Sequence, residues 1–253
     1  MTFAIAGLLF LLGLLATMPL FAWVAKRTGR RRDEDVARRP ASLLLGFWLR
    51  DWLVWLITPV ERSLVKGGIS PTALNLLGAV CGITGGGAFA TGQFGLAAWL
   101  VGLGGFSDIL DGRVARARGI ASAYGAFLDS TLDRFAETGT FVGIAWYFAG
   151  SAWLSAATVL AIAGSLLVSY TRARGEALGV HFAGGLMQRA ERLTLLAIGA
   201  LLDTPLSQRL GWSPGAVLSS VVVAIAIGTV GTAIYRTARI ARALVSTPPG
   251  RAG

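Results

Sequence analysis

Long apolar runs, each closed by a short basic stretch, repeat along the chain. Thr2 to Val24 carries no charge and is followed at once by Lys26, Arg27 and the run Arg30 to Arg32, then by Arg38 and Arg39. A cleaved signal peptide has its positive charge before the apolar run and small residues after it, so this order predicts a retained span over residues 1–25. The basic linker over 26–41 then belongs in the cytoplasm beside anionic headgroups, with the N-terminus outside. Ser42 to Lys66 breaks the pattern: Arg50, Asp51, Glu61, Arg62 and Lys66 interrupt the apolar positions, and Trp48, Trp52 and Trp55 supply rings suited to an interface. That mixture predicts an amphipathic helix on the cytoplasmic surface of the membrane, bent near Pro59.

KGGISPT follows, with Ser70 as N-cap and Pro71 at the first helical position. From there apolar length predicts six spans, at roughly 71–91, 94–116, 123–148, 152–173, 186–204 and 214–235. Arg113, Arg116, Arg118, Arg172, Arg174, Arg189, Arg192, Arg236, Arg239 and Arg242 then fall at cytoplasmic ends, and Arg209 alone on the far side. Gly82 and Gly85 to Gly87 permit close helix approach. The tail over 245–253 reads as disordered. The predicted fold class is all-α: a polytopic integral membrane protein with a six-helix transmembrane core over 67–244, an extra N-terminal span and a surface helix.

Composition sharpens this picture. Hydrophobic residues are 54% of the chain and charged ones 14%, against about 25% charged in soluble domains. The net charge of +10 lies where membrane topology puts it, so anionic lipid and not nucleic acid is the implied partner. Cys81 and His181 are each the only residue of their type, which excludes internal disulfides, cysteine or histidine metal clusters and a Ser-His-Asp triad with a spare base. Oxygen ligands and hard cations remain.

Of only 13 acidic residues, four sit in SDILDGRVARARGIASAYGAFLDSTLD: Asp108, Asp111, Asp129 and Asp133. Carboxylates beside a membrane are costly unless they meet cations. Asp108 and Asp111 share one helix face, as do Asp129 and Asp133, and two helices so marked can aim both pairs into one space. Gly112 and Gly125 leave room for a ligand, and Arg116 lies near the face of Asp108. Clustered carboxylates repel unless divalent cations neutralise them, and carboxylate-held Mg²⁺ keeps positions open for phosphates. Metal-assisted phosphoryl chemistry is the natural reading.

These residues also fill a known signature, D-x-x-D-G-x-x-A-R, eight residues, then G-x-x-x-D-x-x-x-D, met by Asp108, Asp111, Gly112, Ala115, Arg116, Gly125, Asp129 and Asp133. On it the chain resembles the CDP-alcohol phosphotransferase family over about residues 42–240. The resemblance implies a two-metal site (Mg²⁺ or Mn²⁺) built by Asp108, Asp111 and Asp129, with Asp133 sharing it and acting as general base on the acceptor hydroxyl. It also implies that Arg116 and the Gly112 backbone contact the cytidine diphosphate portion, that Pro71, Thr72, Ala73 and Leu74 border the nucleotide, and that Ser122 hydrogen-bonds it. A carboxylate beside cations is a weak base, so Asp133 must help by position and by metal-acidified substrate.

SYTRARGEALG, QRAERL and GGISPTALNLLG are similar to segments of the bacterial phosphatidylinositol phosphate synthases. This implies CDP-diacylglycerol as donor, inositol phosphate as acceptor and a homodimer, while the order of spans turns the active site to the cytoplasm. Arg174 and Arg192, with Arg172, Arg189 and Ser169, would bind the acceptor phosphate, for which guanidinium forks are suited. The bland account is that basic residues flank cytoplasmic helix ends anyway. Arg172 stands where those synthases usually carry lysine. Glycerol 3-phosphate or an uncharged alcohol is the runner-up acceptor. A cation transporter would also place aspartates between spans, but it gives no reason for the glycines and Arg116 at their spacings.

Overall fold

The computed structural model describes residues 2–28 and 47–246. The predicted basic linker beyond Thr28, the start of the predicted surface helix and the tail after Ser246 lie outside the described residues. Those described are helical and carry no strand. The helices are α1 (Thr2–Ala16), α2 (Met18–Thr28), α3 (Phe47–Lys66), α4 (Pro71–Ala90), α5 (Phe94–Ala117), α6 (Ala123–Tyr147), α7 (Ala152–Ala177), α8 (Arg189–Leu210) and α9 (Ala216–Ser246).

Five elements are long and apolar enough to cross a bilayer: Thr2–Thr28, α4, α5, α7 and α9. α6 and α8 fall short of that measure because of their charges, which include Asp129, Asp133, Arg134 and Glu137 on one and Arg189, Glu191, Arg192, Asp203 and Arg209 on the other. Much of this charge faces protein. Glu137, Glu191, Arg192 and Asp203 are all buried.

α4 packs along both α5 and α6, α9 along α7 and α8, and the two groups join through α5 with α8 and α6 with α7. Because lipid is as apolar as leucine, such helices associate by close packing, for which small residues are needed. Gly82 and Gly86 of α4 serve this purpose. A Cβ on Gly82 would meet Ala136 at 2.6 Å, and one on Gly143 would run into the backbone of Gly86. Gly87 faces open space. A core of Phe89, Phe94, Phe141, Ile144, Leu196, Leu218 and Ile225 fills the end of the bundle away from the signature aspartates.

Three helix ends depart from expectation. The N-terminal span is broken at Thr17, since Pro19 has no N–H for the preceding turn, and the Thr17 hydroxyl donates instead to the Leu14 carbonyl. α8 continues through Pro205 to Leu210 and ends at Gly211, whose φ of 67° is the left-handed conformation glycine adopts freely. Asp203 accepts from the N–H groups of Gly215, Val217 and Leu218 at 2.8–3.0 Å, satisfying donors that the start of α9 leaves open. Ser70 does precede Pro71 in an extended conformation, but it caps α4 by position alone, without a side-chain bond. Pro59 lies inside a helix that runs unbroken through Lys66.

Candidate active site

The turn between α5 and α6 sets the site. Gly119, at φ 66°, reverses the chain, and Ser122 starts α6 by accepting the Gly125 N–H at 3.1 Å. α5 and α6 both pack on α4 and barely touch one another. Their aspartates therefore meet across a gap backed by α4. One carboxylate oxygen from each of Asp108, Asp129 and Asp133 lies within 4.8 Å of the other two. Asp111 stands beside them, close enough for its charge to act on Asp129 and Asp108. All four signature aspartates are thus brought together.

The donor set tests the metal reading. Asp111 is 5% exposed; one oxygen accepts the Gly112 N–H, while Oδ2 is buried without a partner. Asp129 Oδ1 is likewise buried and unpaired. Orphaned carboxylate oxygens turned toward like charges are unfavourable by themselves and favourable around a hard divalent cation. The residues present fit Mg²⁺ or Mn²⁺.

A Cβ at Gly112 would come within 3.1 Å of Arg116 Nη1, so a bare backbone there lets the exposed guanidinium fold over it. Pro71 to Leu74 form the first turn of α4: Thr72 and Ala73 are exposed, whereas Leu74 is buried with Leu110 and Val114. Ser122 is spent on its cap as an acceptor, leaving its own O–H to donate.

The predicted arginine cluster divides into two. Arg172 and Arg174 are exposed on the last turns of α7, where Arg172 Nε meets Glu176 at 2.8 Å. Ser169 is half-buried one turn earlier, its hydroxyl donating to the Ser165 carbonyl. Arg189 and Arg192 turn instead to α6. Arg189 Nη2 contacts Asp133 Oδ1 at 2.7 Å, and its Nη1 donates to the Asp133 carbonyl. Arg192, 1% exposed, donates Nε and Nη2 to the two oxygens of Glu137 at 2.6 and 3.2 Å, and Nη1 to the Met187 carbonyl. That departs from the expectation that Arg192 faces a ligand. Its whole fork is occupied by protein.

Glu137 was missed, although it extends the four-residue spacing of Asp129 and Asp133 by one more turn. Membrane topology alone accounts for Arg236 in the sequence. It is buried, and its fork holds the carbonyls of Gly184, Ala183 and Val168 at 2.7–3.0 Å, tying the loop after α7 to α9. No spacing rule would have found it.

A family model described as CDP-alcohol phosphatidyltransferase matches residues 69–237. The phosphatidylinositol phosphate synthase of Streptomyces avermitilis is 39% identical over 162 residues, which are 62% of this chain and 66% of that protein. That of Mycobacterium tuberculosis is 32% identical over 197 residues, 76% of this chain and 88% of that one. The crystal structure of the M. tuberculosis enzyme with CDP-DAG bound superposes with a TM-score of 0.65 at 32% identity, covering 76% of this chain and 94% of that one. A second structure of it, in complex with manganese and citrate, gives the same TM-score and covers 90% of that chain.

Proposed function

The chain belongs to the CDP-alcohol phosphatidyltransferase family, and on that footing we propose that it moves a phosphatidyl group from CDP-diacylglycerol to a hydroxyl of inositol phosphate, releasing CMP. The observation that carries this reading is the convergence of Asp108, Asp129 and Asp133 within 4.8 Å, with Asp111 alongside and two buried carboxylate oxygens that no protein donor meets. Relatives named as phosphatidylinositol phosphate synthases, of which the M. tuberculosis enzyme is solved once with CDP-DAG and once with manganese and citrate, support the donor and the metal.

Asp108, Asp111, Asp129 and Asp133 would hold the divalent ions, which when bound neutralise charge on the donor pyrophosphate. Arg116 and the Gly112 backbone grip the cytidine diphosphate portion, with Pro71, Thr72, Ala73, Leu74 and Ser122 along its border. Asp133 receives the proton of the acceptor hydroxyl as that oxygen bonds to the phosphorus bearing the diacylglycerol and the bond to the CMP oxygen breaks. Arg174, Arg172, Arg189 and Ser169 meet the acceptor phosphate. Arg192 acts behind them, holding Glu137 and through it the setting of Arg189.

In this reading α6 and α8 complete a six-helix transmembrane core, their buried charges shielded by the five apolar elements. α3 lies on the cytoplasmic surface. The exposed arginines at the aspartate end support a cytoplasmic site by the positive-inside rule. The working unit is a homodimer.

Supplying labelled CDP-diacylglycerol with inositol phosphate, glycerol 3-phosphate, inositol and serine in turn tests the assignment. Efficient lipid product with inositol phosphate alone supports it. Preference for glycerol 3-phosphate keeps the chemistry and replaces the acceptor.

A further inference from the structure

A helix held only by lipid exposes its whole circumference, yet Ala4, Gly7 and Phe21 of the extra N-terminal segment are buried. Ala4 and Phe3 press on Gly95 of α5, where an added Cβ would come within 2.6 Å of the Ala4 nitrogen. Gly7 sits beneath Leu201 of α8, and the Trp99 indole donates to the Phe3 carbonyl at 3.1 Å. The segment is seated on the core, not tethered beside it.

Its other end reaches α3. Trp52, 4% exposed, donates its indole N–H to Thr17 Oγ1 at 2.9 Å, at the break between α1 and α2. The buried Phe21 ring packs on Trp48 and Trp55, with centroids 5.6 and 5.7 Å away. α3 then contacts the donor side of the site. Glu61 accepts from Arg113 Nε at 2.6 Å, with both side chains mostly buried. Leu64 and Val65 pack against Leu74, Leu110 and Val114. Just past α3, the Gly68 and Ile69 carbonyls accept from Arg118. Contacts therefore run without interruption from α1 to Leu74, Arg113 and Val114, which neighbour Gly112 and Arg116 in the chain.

We propose that α1 and α2 form a positioning element for donor binding, acting through Thr17, Phe21 and Trp52 to hold α3 against the nucleotide side of the site. The inference rests on the reading of CDP-diacylglycerol as donor. Freed of this brace, α3 can shift within the interface, and Arg113 and Arg118 lose fixed partners. The aspartates keep their places, since α5 and α6 are both seated on α4. Donor affinity should fall while the chemical step is spared.

Steady-state kinetics of full-length Thr17→Val, Phe21→Ala, Thr17→Ser and the lipid-facing control Leu9→Ala separate the possibilities. Thr17→Val strands the Trp52 donor, and with Phe21→Ala it should raise the donor KM by about tenfold, the scale of an unpaired buried group. kcat should stay within about twofold and the acceptor KM unchanged, with Thr17→Ser restoring wild-type values because it returns the hydroxyl. Unchanged donor KM in Thr17→Val and Phe21→Ala overturns the proposal, as does an equal loss in kcat and both KM values, which is what general destabilisation gives. If the wild type turns over no CDP-diacylglycerol with any acceptor, the functional reading fails first. CDP-diacylglycerol binding at fixed Mn²⁺ then decides the brace, and equal affinity in wild type and Thr17→Val rejects it.

Discussion

Replacing Glu137 with glutamine isolates the network behind the aspartates. Glu137 and Arg192 are each 1% exposed, and the carboxylate takes two charge-assisted bonds from the Arg192 fork and a third approach, 3.8 Å, from Arg189. Removing one partner of such a buried pair leaves the other charge uncompensated, a loss of about 3–5 kcal/mol, whereas replacing both by apolar groups is often neutral. Glutamine retains one acceptor oxygen, so the lower part of that range applies. The double variant Glu137→Gln/Arg192→Met should recover at least half the loss, an interaction energy of the size contacting residues show. Cys81 is buried and is the chain's single cysteine, so thermal unfolding in detergent can be followed by its exposure to a thiol-reactive dye. Turnover measured below the unfolding temperature should also fall, because Arg189, which spans Glu137 and Asp133, loses one of its two anchors. A Glu137→Gln protein within about 1 kcal/mol of wild type, or a double variant no better than the single, would refute the view that this pair is dry and mutually dependent.

Asp111→Asn should abolish CMP release while leaving the unfolding temperature near wild type or higher, since it removes a charge from a repelling cluster; brisk turnover by the purified variant rules out a metal role. EDTA should silence the enzyme until Mg²⁺ or Mn²⁺ is restored, and activity persisting in chelator excludes the mechanism. Arg174→Ala should raise the acceptor KM by about tenfold with the donor KM unmoved, the loss of one charge-assisted phosphate contact; unchanged kinetics would return Arg174 to a purely topological role. Asp203→Ala strands three backbone donors at the start of α9 and should lower stability by about 3 kcal/mol, with kcat preserved at temperatures where the fold survives; a stable variant would mean that water satisfies those groups.

Much of the site could be read from spacing, because a helix turns three- and four-residue intervals into a shared face. That logic placed Asp108 with Asp111 and Asp129 with Asp133, and short loops left little freedom in how their helices meet. The same logic, carried one turn further, would have reached Glu137. It fails for the arginines, since a basic residue near a helix end satisfies membrane topology whichever way it points. Arg174 faces solvent, while Arg192, 55 positions from Glu137 in sequence, is locked to α6 by a tertiary contact. Asp203 and Arg236 serve loops distant in sequence, which no local pattern encodes. Pro205 reads locally as a stop, yet the packed neighbours of α8 carry the helix past it. The N-terminal span is legible as apolar length, whereas its seat on Gly95 depends on two small surfaces meeting.

That α5 and α6 are joined mainly through α4 also bears on how a lipid would get in and out. In the proposed reaction, the exposed Ile109, Tyr124 and Phe127 beside the aspartate helices would let a headgroup reach the site sideways while its tails remain among neighbouring lipids. Lifting two acyl chains into water would cost about 0.8 kcal/mol for every methylene, far beyond what a phosphate seat returns. Lateral entry would remove that barrier, and the lipid, its CMP exchanged for the acceptor, would leave by the same door.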